Sequence, residues 1–300
     1  MSAPVVVLGG PTASGKTALA IALAQRIDGE IVSADSRQIY AGMPIGTAAP
    51  TPDEMAAVRH HLVGFLDPHE RYSAARFVHD ALVAIDGIHA RGKRAIVAGG
   101  TGFYLRALCG DVQLGGEPEA VLRDRLAREA RIHPPDVLHT WLAALAPERA
   151  AVLAAGDGYR VVRALEAALV RDAPSASPHV PVETLRSRGL PFQKFVLRLD
   201  PALLAERIGA RTDAMLASGF IAEAMRVGPD AVAAGAVGYG EAFAYLDGFL
   251  DAGAFRDALA RSTRRYAKRQ ATWFRSEPDV LWIDAAAPAD ALVALVNQLA

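Results

Sequence analysis

The sequence predicts an α/β fold, a mostly parallel sheet flanked by helices and interrupted by an inserted helical subdomain. Short β-branched apolar runs alternate with longer helix-forming segments along most of the 300 residues. The first run is apolar at every position, as a strand covered on both faces requires. Between about Leu114 and Leu190 no strand pattern occurs.

The first strand is Val5-Val-Val-Leu8, which ends in glycines. From Thr17 to Arg26 the chain places Leu19, Ile21 and Leu23 in a strongly helix-forming context. Further strands are expected at Glu30–Ser33, Ala95–Ala98, Phe195–Leu199 and Val280–Ile283, with helical patterns between them. The interruption carries Arg-rich helical segments, Val121–Ile132, Val137–Leu145 and Tyr159–Val170. Residues 1–113 and 191–300 are therefore read as the catalytic α/β core and 114–190 as the insert. Ala173–Pro181, rich in Pro and Ser, is expected to be an exposed loop or linker.

Composition removes several classes. With 52% hydrophobic and 22% charged residues the chain can bury a core, unlike a disordered segment. The 32 basic residues, 28 Arg and four Lys, face 33 acids, a balance unlike that of a histone or a ribosomal tail. One cysteine, Cys109, cannot form an internal disulfide, and no Cys/His cluster has zinc-ligand spacing. No apolar run reaches the roughly 18 residues of a membrane span, and the first one is too short for a signal peptide. A soluble, cytoplasmic protein is expected.

Gly10-Pro11-Thr12-Ala13-Ser14-Gly15-Lys16-Thr17 matches GxxxxGK[ST], with a strand before it and a helix after. Its backbone N–H groups and the positive end of the helix suit a di- or triphosphate. Lys16 would neutralise phosphate oxygens, and the Thr17 hydroxyl would ligate Mg²⁺. The loop alone leaves kinase, GTPase, ATPase or another transferase open. No Asn-Lys-x-Asp tetrad supports a GTPase, and no apolar strand ending in Asp-Glu supports an ATPase motor. A P-loop kinase-like core remains.

The segment Ile31-Val-Ser-Ala-Asp-Ser-Arg-Gln-Ile-Tyr40, followed by Gly42–Pro50, resembles the tRNA dimethylallyltransferase family, which has an Asp-Ser-x-Gln-x-Tyr motif there. The resemblance continues through His60-His-Leu, Leu66-Asp-Pro, Tyr72–Phe77, Ala98-Gly-Gly-Thr-Gly-Phe-Tyr-Leu105, Tyr159–Glu166, Val237-Gly-Tyr239 and Tyr245-Leu-Asp-Gly248 to Arg264–Arg275. It implies transfer of a dimethylallyl group from its diphosphate to the exocyclic amine of the adenosine 3′ to certain anticodons. The loop then holds a diphosphate that leaves. Members of the family mostly act alone, so a monomer is the default.

Asp35 follows a strand at its carboxyl end, where open α/β sheets place ligands, and is expected close to the phosphate loop on the adjacent strand. An aromatic amine is a weak nucleophile, so a carboxylate that takes its proton assists attack; Asp35 is the expected general base. The Thr101 hydroxyl is expected to bond the bridging oxygen of the departing diphosphate. Arg207 and Arg211 share a helix face and are either a diphosphate clamp or a solvated face; the resemblance favours Arg211.

RNA binding must come from local charge. From Arg256 to Arg275 there are seven basic residues and one acid, a net of +6, with Tyr266 and Trp273 among them. The resemblance implies tRNA contacts by Arg264, Arg265, Lys268, Arg269 and Gln270 there, by Arg123, Tyr159, Arg160, Val161, Val162 and Arg163 in the insert, and by Asp35, Ser36, Arg37, Gln38 and Thr101 at the floor of a channel that takes an extruded adenosine of the anticodon stem-loop. The chain departs from relatives at Gly235–Gly240, where basic residues are common, and at Ala49, where lysine is frequent. The pair His60-His61 is read as structural. Competing readings are a small-molecule kinase, an adenylate prenyltransferase and a non-catalytic RNA-binding protein.

Overall fold

β1 (Val5–Gly9) is buried along its whole length and sits inside a six-stranded sheet, covered on both faces as its unbroken apolar sequence requires. The computed structural model describes residues 3–112, 114, 120–171, 182–229, 231 and 235–299; the Pro/Ser-rich stretch 173–181 lies outside them. From β1 the chain runs through α1 (Lys16–Ile27), β2 (Gly29–Ser33), α2 (Pro44–Thr47), α3 (Pro52–Ala57), β3 (His60–His61), α4 (Ala74–Ala90), β4 (Arg94–Gly99) and α5 (Gly102–Cys109). The insert then holds α6 (Ala120–Ile132), α7 (Pro135–Leu145), α8 (Pro147–Ala151) and α9 (Gly158–Arg171). β5 (Phe192–Arg198), α10 (Pro201–Ala217), α11 (Phe220–Val227), α12 (Tyr239–Leu246), α13 (Ala252–Arg275), β6 (Val280–Asp284) and α14 (Pro288–Leu299) complete the chain.

The sheet order is β3-β2-β4-β1-β5-β6, and every neighbouring pair is parallel. Two sequence expectations need correction. β2 is not next to β1, because β4 lies between them, with Ala98 in register with both Leu8 and Ser33. The chain therefore brings three strand ends together where two were expected. The histidine pair is a further strand at the sheet edge, with Ile31 opposite His60, and two residues are too few to show a period. There His61 binds Glu30 at 2.7 Å, while Arg91 holds the same carboxylate through two nitrogens at 2.9 and 2.7 Å. The Arg91 hydrogen bonds, assisted by His61, pull the Glu30 carboxyl down to about 2 against the opposing effect of burial.

The chain divides into two units, Met1–Val112 with Glu183–Ala300, and Gln113–Val182. The far boundary of the insert thus falls before residue 183 and not at 190. Leu185 is buried in the α/β unit, where its N–H donates to the Leu108 carbonyl at 2.8 Å, and Arg188 reaches Asp86 at 3.0 Å. In the α/β unit one core packs α1 and α14 on the sheet through Leu19, Leu23, Ile96, Phe195 and Leu295. A second joins α11, α12 and α13 to the segment after β2 through Ile39, Met43, Phe220, Tyr239 and Phe255. The insert has its own core of Leu126, Leu138, Leu142, Val161 and Leu165.

Glu223 pins the segment after β2. Buried, it accepts the N–H groups of Ile45 and Gly46 at 2.8 and 2.7 Å and the Tyr239 hydroxyl at 2.7 Å. Glu223→Leu leaves the buried Tyr239 hydroxyl and the half-buried N–H groups of Ile45 and Gly46 without their acceptor, at a cost of about 1–3 kcal/mol for the buried donor and less for the other two. The variant is expected to lose about 2–3 kcal/mol of stability, read as a lower urea midpoint at unchanged m.

Candidate active site

The phosphate loop turns from β1 into α1. Gly15, the residue before α1, has φ 91°, a left-handed conformation that costs a residue without Cβ little, and Ala13 shares that hand at φ 62°. This backbone and the first turn of α1 direct N–H groups into one concavity. The Lys16 ammonium donates to the Pro11 carbonyl at 2.7 Å. Burial brings it down to about 8; the charge of Asp35 opposes that fall and Arg211 adds to it. Ser14 is buried, and its hydroxyl has no protein partner.

Both arginines of α10 turn towards this loop and neither belongs to a solvated face. Arg211 donates to the Thr12 hydroxyl at 2.9 Å, and Arg207 to the Ser14 carbonyl at 3.4 Å and to the carbonyls of Ala285 and Ala286 at 3.3 and 3.2 Å. Burial lowers the Arg211 guanidinium from its ordinary value, with Asp35 opposing. Three cations thus surround a loop built for an anion.

Asp35 follows β2 in an Asx turn, one oxygen accepting the Arg37 N–H at 2.9 Å. It shares a cleft of about 360 Å³ with Lys16, Thr17, Gln38, Arg207 and Arg211. Thr101, two residues past the intervening β4, meets the residue after Asp35: its hydroxyl accepts the Ser36 N–H at 2.9 Å and donates to the Ser36 hydroxyl at 3.2 Å. The Thr101 oxygen therefore braces the Asp35 turn. Gln38 is braced in turn by Ser33 at 3.1 Å and by the Ala48 carbonyl at 2.9 Å.

The basic strip lies on α13, whose Arg264, Arg265, Lys268 and Arg269 are exposed. Gln270 is not part of the strip. It is 6% exposed, and its side chain accepts the Thr12 N–H at 2.8 Å and donates to the Gly100 carbonyl at 2.9 Å. In the insert, Tyr159 and Arg160 are exposed and Val162 is half-buried, but Val161 is fully buried in the insert's core and presents no surface to a partner. Arg123 and Arg163 converge on the buried carboxylate of Glu166.

Two residues have surroundings that their sequence reading, His60 as structural and Tyr266 as an aromatic of the basic segment, does not include. His60 lines the cleft; its Nδ1 bonds the Val58 carbonyl at 2.8 Å, and its buried Nε2 has no protein partner. Tyr266 on α13 feels the charge of Asp35, which together with burial, the larger effect, raises its hydroxyl. The basic-aromatic composition of this helix marks Tyr266 for RNA and not for proximity to Asp35; nothing local places His60 at the cleft.

A family model described as IPP transferase matches residues 38–277. A tRNA dimethylallyltransferase from Geobacter sulfurreducens is 40% identical over 294 residues, which span 96% of this chain and 94% of that protein. One from Stenotrophomonas maltophilia is 45% identical over 92% of this chain and 90% of its own. Among solved structures, the full-length tRNA isopentenylpyrophosphate transferase from Bacillus halodurans superposes with a TM-score of 0.70 at 35% identity, covering 99% of this chain and 95% of that one. A eukaryotic dimethylallyltransferase acting on tRNA has a TM-score of 0.75 at 26% identity, covering 99% of this chain and 77% of its own.

Proposed function

The chain belongs to the IPP transferase family, and from that premise we propose that it moves a dimethylallyl group from dimethylallyl diphosphate to the N6 amine of the adenosine 3′-adjacent to the anticodon of tRNA. One observation carries the reading at the level of chemistry: a cationic phosphate loop and the Asp35 carboxylate face one cleft. As the N6–C1 bond of the product forms, the C1–O bond to the diphosphate breaks and the amine proton passes to Asp35. Lys16, Arg207 and Arg211 take up the charge that grows on the departing diphosphate. Thr101 and Ser36 hold the Asp35 turn against the incoming base.

Among the described residues no group of three or more His, Cys, Asp or Glu side chains could hold a metal ion. The hard oxygen donors at the cleft, Thr17 with the oxygens of a bound diphosphate, fit the way Mg²⁺ binds, through one or two protein ligands and phosphate oxygens. When bound there, Mg²⁺ would neutralise diphosphate charge. The exposed cations of α13, with Tyr159 and Arg160 of the insert, are the surfaces proposed for the anticodon stem-loop. Among the described residues no helix is long and apolar enough to cross a membrane; action as a monomer in the cytoplasm belongs to the proposal.

Incubating the protein with dimethylallyl diphosphate, Mg²⁺ and either tRNA or AMP tests the reading. Prenylated adenosine in tRNA alone is the expected product. Product on AMP would make it an adenylate prenyltransferase, and ATP-dependent phosphate transfer a kinase. Charge reversal of Arg264 and Arg265 is expected to weaken tRNA binding and lower the slope of log K against log salt by about one to two. An unchanged slope would place the RNA surface elsewhere.

A further inference from the structure

Helix α13 has two jobs that its sequence assigns to one run of residues. Its outer side carries the exposed cations. Its inner side reaches the phosphate loop, and at Gln270 it does so through both ends of one amide: the oxygen accepts the Thr12 N–H at 2.8 Å and the nitrogen donates to the Gly100 carbonyl at 2.9 Å. A flipped amide would set oxygen against a carbonyl and nitrogen against an N–H, so the partners define the orientation. The approach is so close that a Cβ on Gly100 would lie 2.3 Å from the Gln270 nitrogen and 3.7 Å from an Asp35 oxygen. A side chain at Gly100 would displace the Gln270 amide from this place.

The two backbone groups bridged in this way belong to the two turns that the chemistry depends on. Thr12 is in the phosphate loop, and Arg211 holds its hydroxyl at 2.9 Å. Gly100 precedes Thr101, whose hydroxyl braces the Ser36 N–H beside Asp35. The turns leave neighbouring strands, β1 and β4, and no backbone ladder continues past Gly9 and Gly99 to hold them together. Beyond the sheet, Gln270 spans them.

We propose that Gln270 is a positioning residue for group transfer, setting the separation between the diphosphate loop and the Thr101–Asp35 turn, and that it makes no contact with tRNA. The inference rests on the reaction proposed above. Errors of about 1 Å in such a separation cost about 10²-fold in rate. The position also demands an amide: a carboxylate would lack the donor for Gly100, an aliphatic chain would lack both bonds, and Asn is too short to reach both partners.

The test compares wild type with Gln270→Met, which keeps the length of the side chain and removes both hydrogen bonds. In steady-state transfer, kcat is expected to fall by about 10²-fold and KM for dimethylallyl diphosphate to rise by about tenfold, while KM for tRNA stays within about twofold. Hydrogen exchange of the loop peptide containing Thr12 is expected to accelerate, with exchange in the β1 core unchanged. Loss of packing alone would reduce the active fraction and leave both KM values in place, so that pattern overturns the proposal. A rise in the tRNA KM with an unchanged diphosphate KM also overturns it, by making Gln270 an RNA contact. If Gln270→Met does not fold, Gln270→Asn replaces it, with the same split expected and wild-type parameters counting against the proposal. A wild-type protein that transfers nothing to tRNA fails the reaction itself; an active wild type matched by its Gln270 variants fails only this residue's role.

Discussion

Asp35→Asn is expected to leave tRNA affinity close to wild type while single-turnover transfer falls by about 10²–10⁴-fold, the range a positioned general base contributes. The substitution is nearly isosteric, and the asparagine oxygen can still accept the Arg37 N–H that holds the turn at 2.9 Å. What disappears is an acceptor basic enough to take a proton from an aromatic amine as its lone pair commits to carbon. Loss of the carboxylate also removes the negative charge that opposes the depression of the Lys16 and Arg211 pKa values. With that support gone Lys16 loses its proton at a lower pH. Binding of inorganic diphosphate is therefore compared well below pH 8, where the ammonium stays charged and binding should not weaken, because a carboxylate that repels the anion is gone. Separate measurement of chemistry and binding distinguishes the roles. Unchanged transfer would remove Asp35 from the mechanism.

Lys16→Ala should be as damaging through a different step. Removing a preorganised cation from a site of developing negative charge costs about 10²–10³-fold, and here it also weakens the ground-state complex with the diphosphate. Wild type offers a second readout. In the free site burial brings Lys16 down to about 8, so the ammonium is fully charged below that pH and becomes neutral above it. Diphosphate favours the charged form, so binding above pH 8 must take up a proton. KM for dimethylallyl diphosphate is then expected to rise by up to about tenfold per pH unit above 8. The alkaline limb should be absent in Lys16→Ala. An equally steep limb in the variant would assign it to another group.

The phosphate loop could be read before any coordinates because its chemistry is local. Eight contiguous residues supply the turn, the cation and the helix start, and the apolar run before them makes a strand whatever its neighbours are. The five longer strands were legible for the same reason, and the family motif around Asp35 marked a carboxylate at a strand end. The resemblance carried the tRNA reading, which charge alone would have left at a basic strip.

Partnership was not legible. A helical sequence shows that Arg264, Lys268 and Gln270 share one helix, but only packing decides that the first two face outwards and the third enters the catalytic unit to hold Thr12 and Gly100. Arg207 and Arg211 were four apart with their targets unknown until α10 lay against the loop. Arg123 and Arg163 find Glu166, and Val161 turns inwards, because the insert must bury a core of its own. The order of the sheet puts β4 between β2 and β1, a choice made by crossover connections and not by any strand's composition. Backbone conformation and residue chemistry follow from contiguous sequence through sterics and hydrogen bonding over a few residues. Which side chains meet across 170 or 258 positions of chain is decided by the packing of the whole unit.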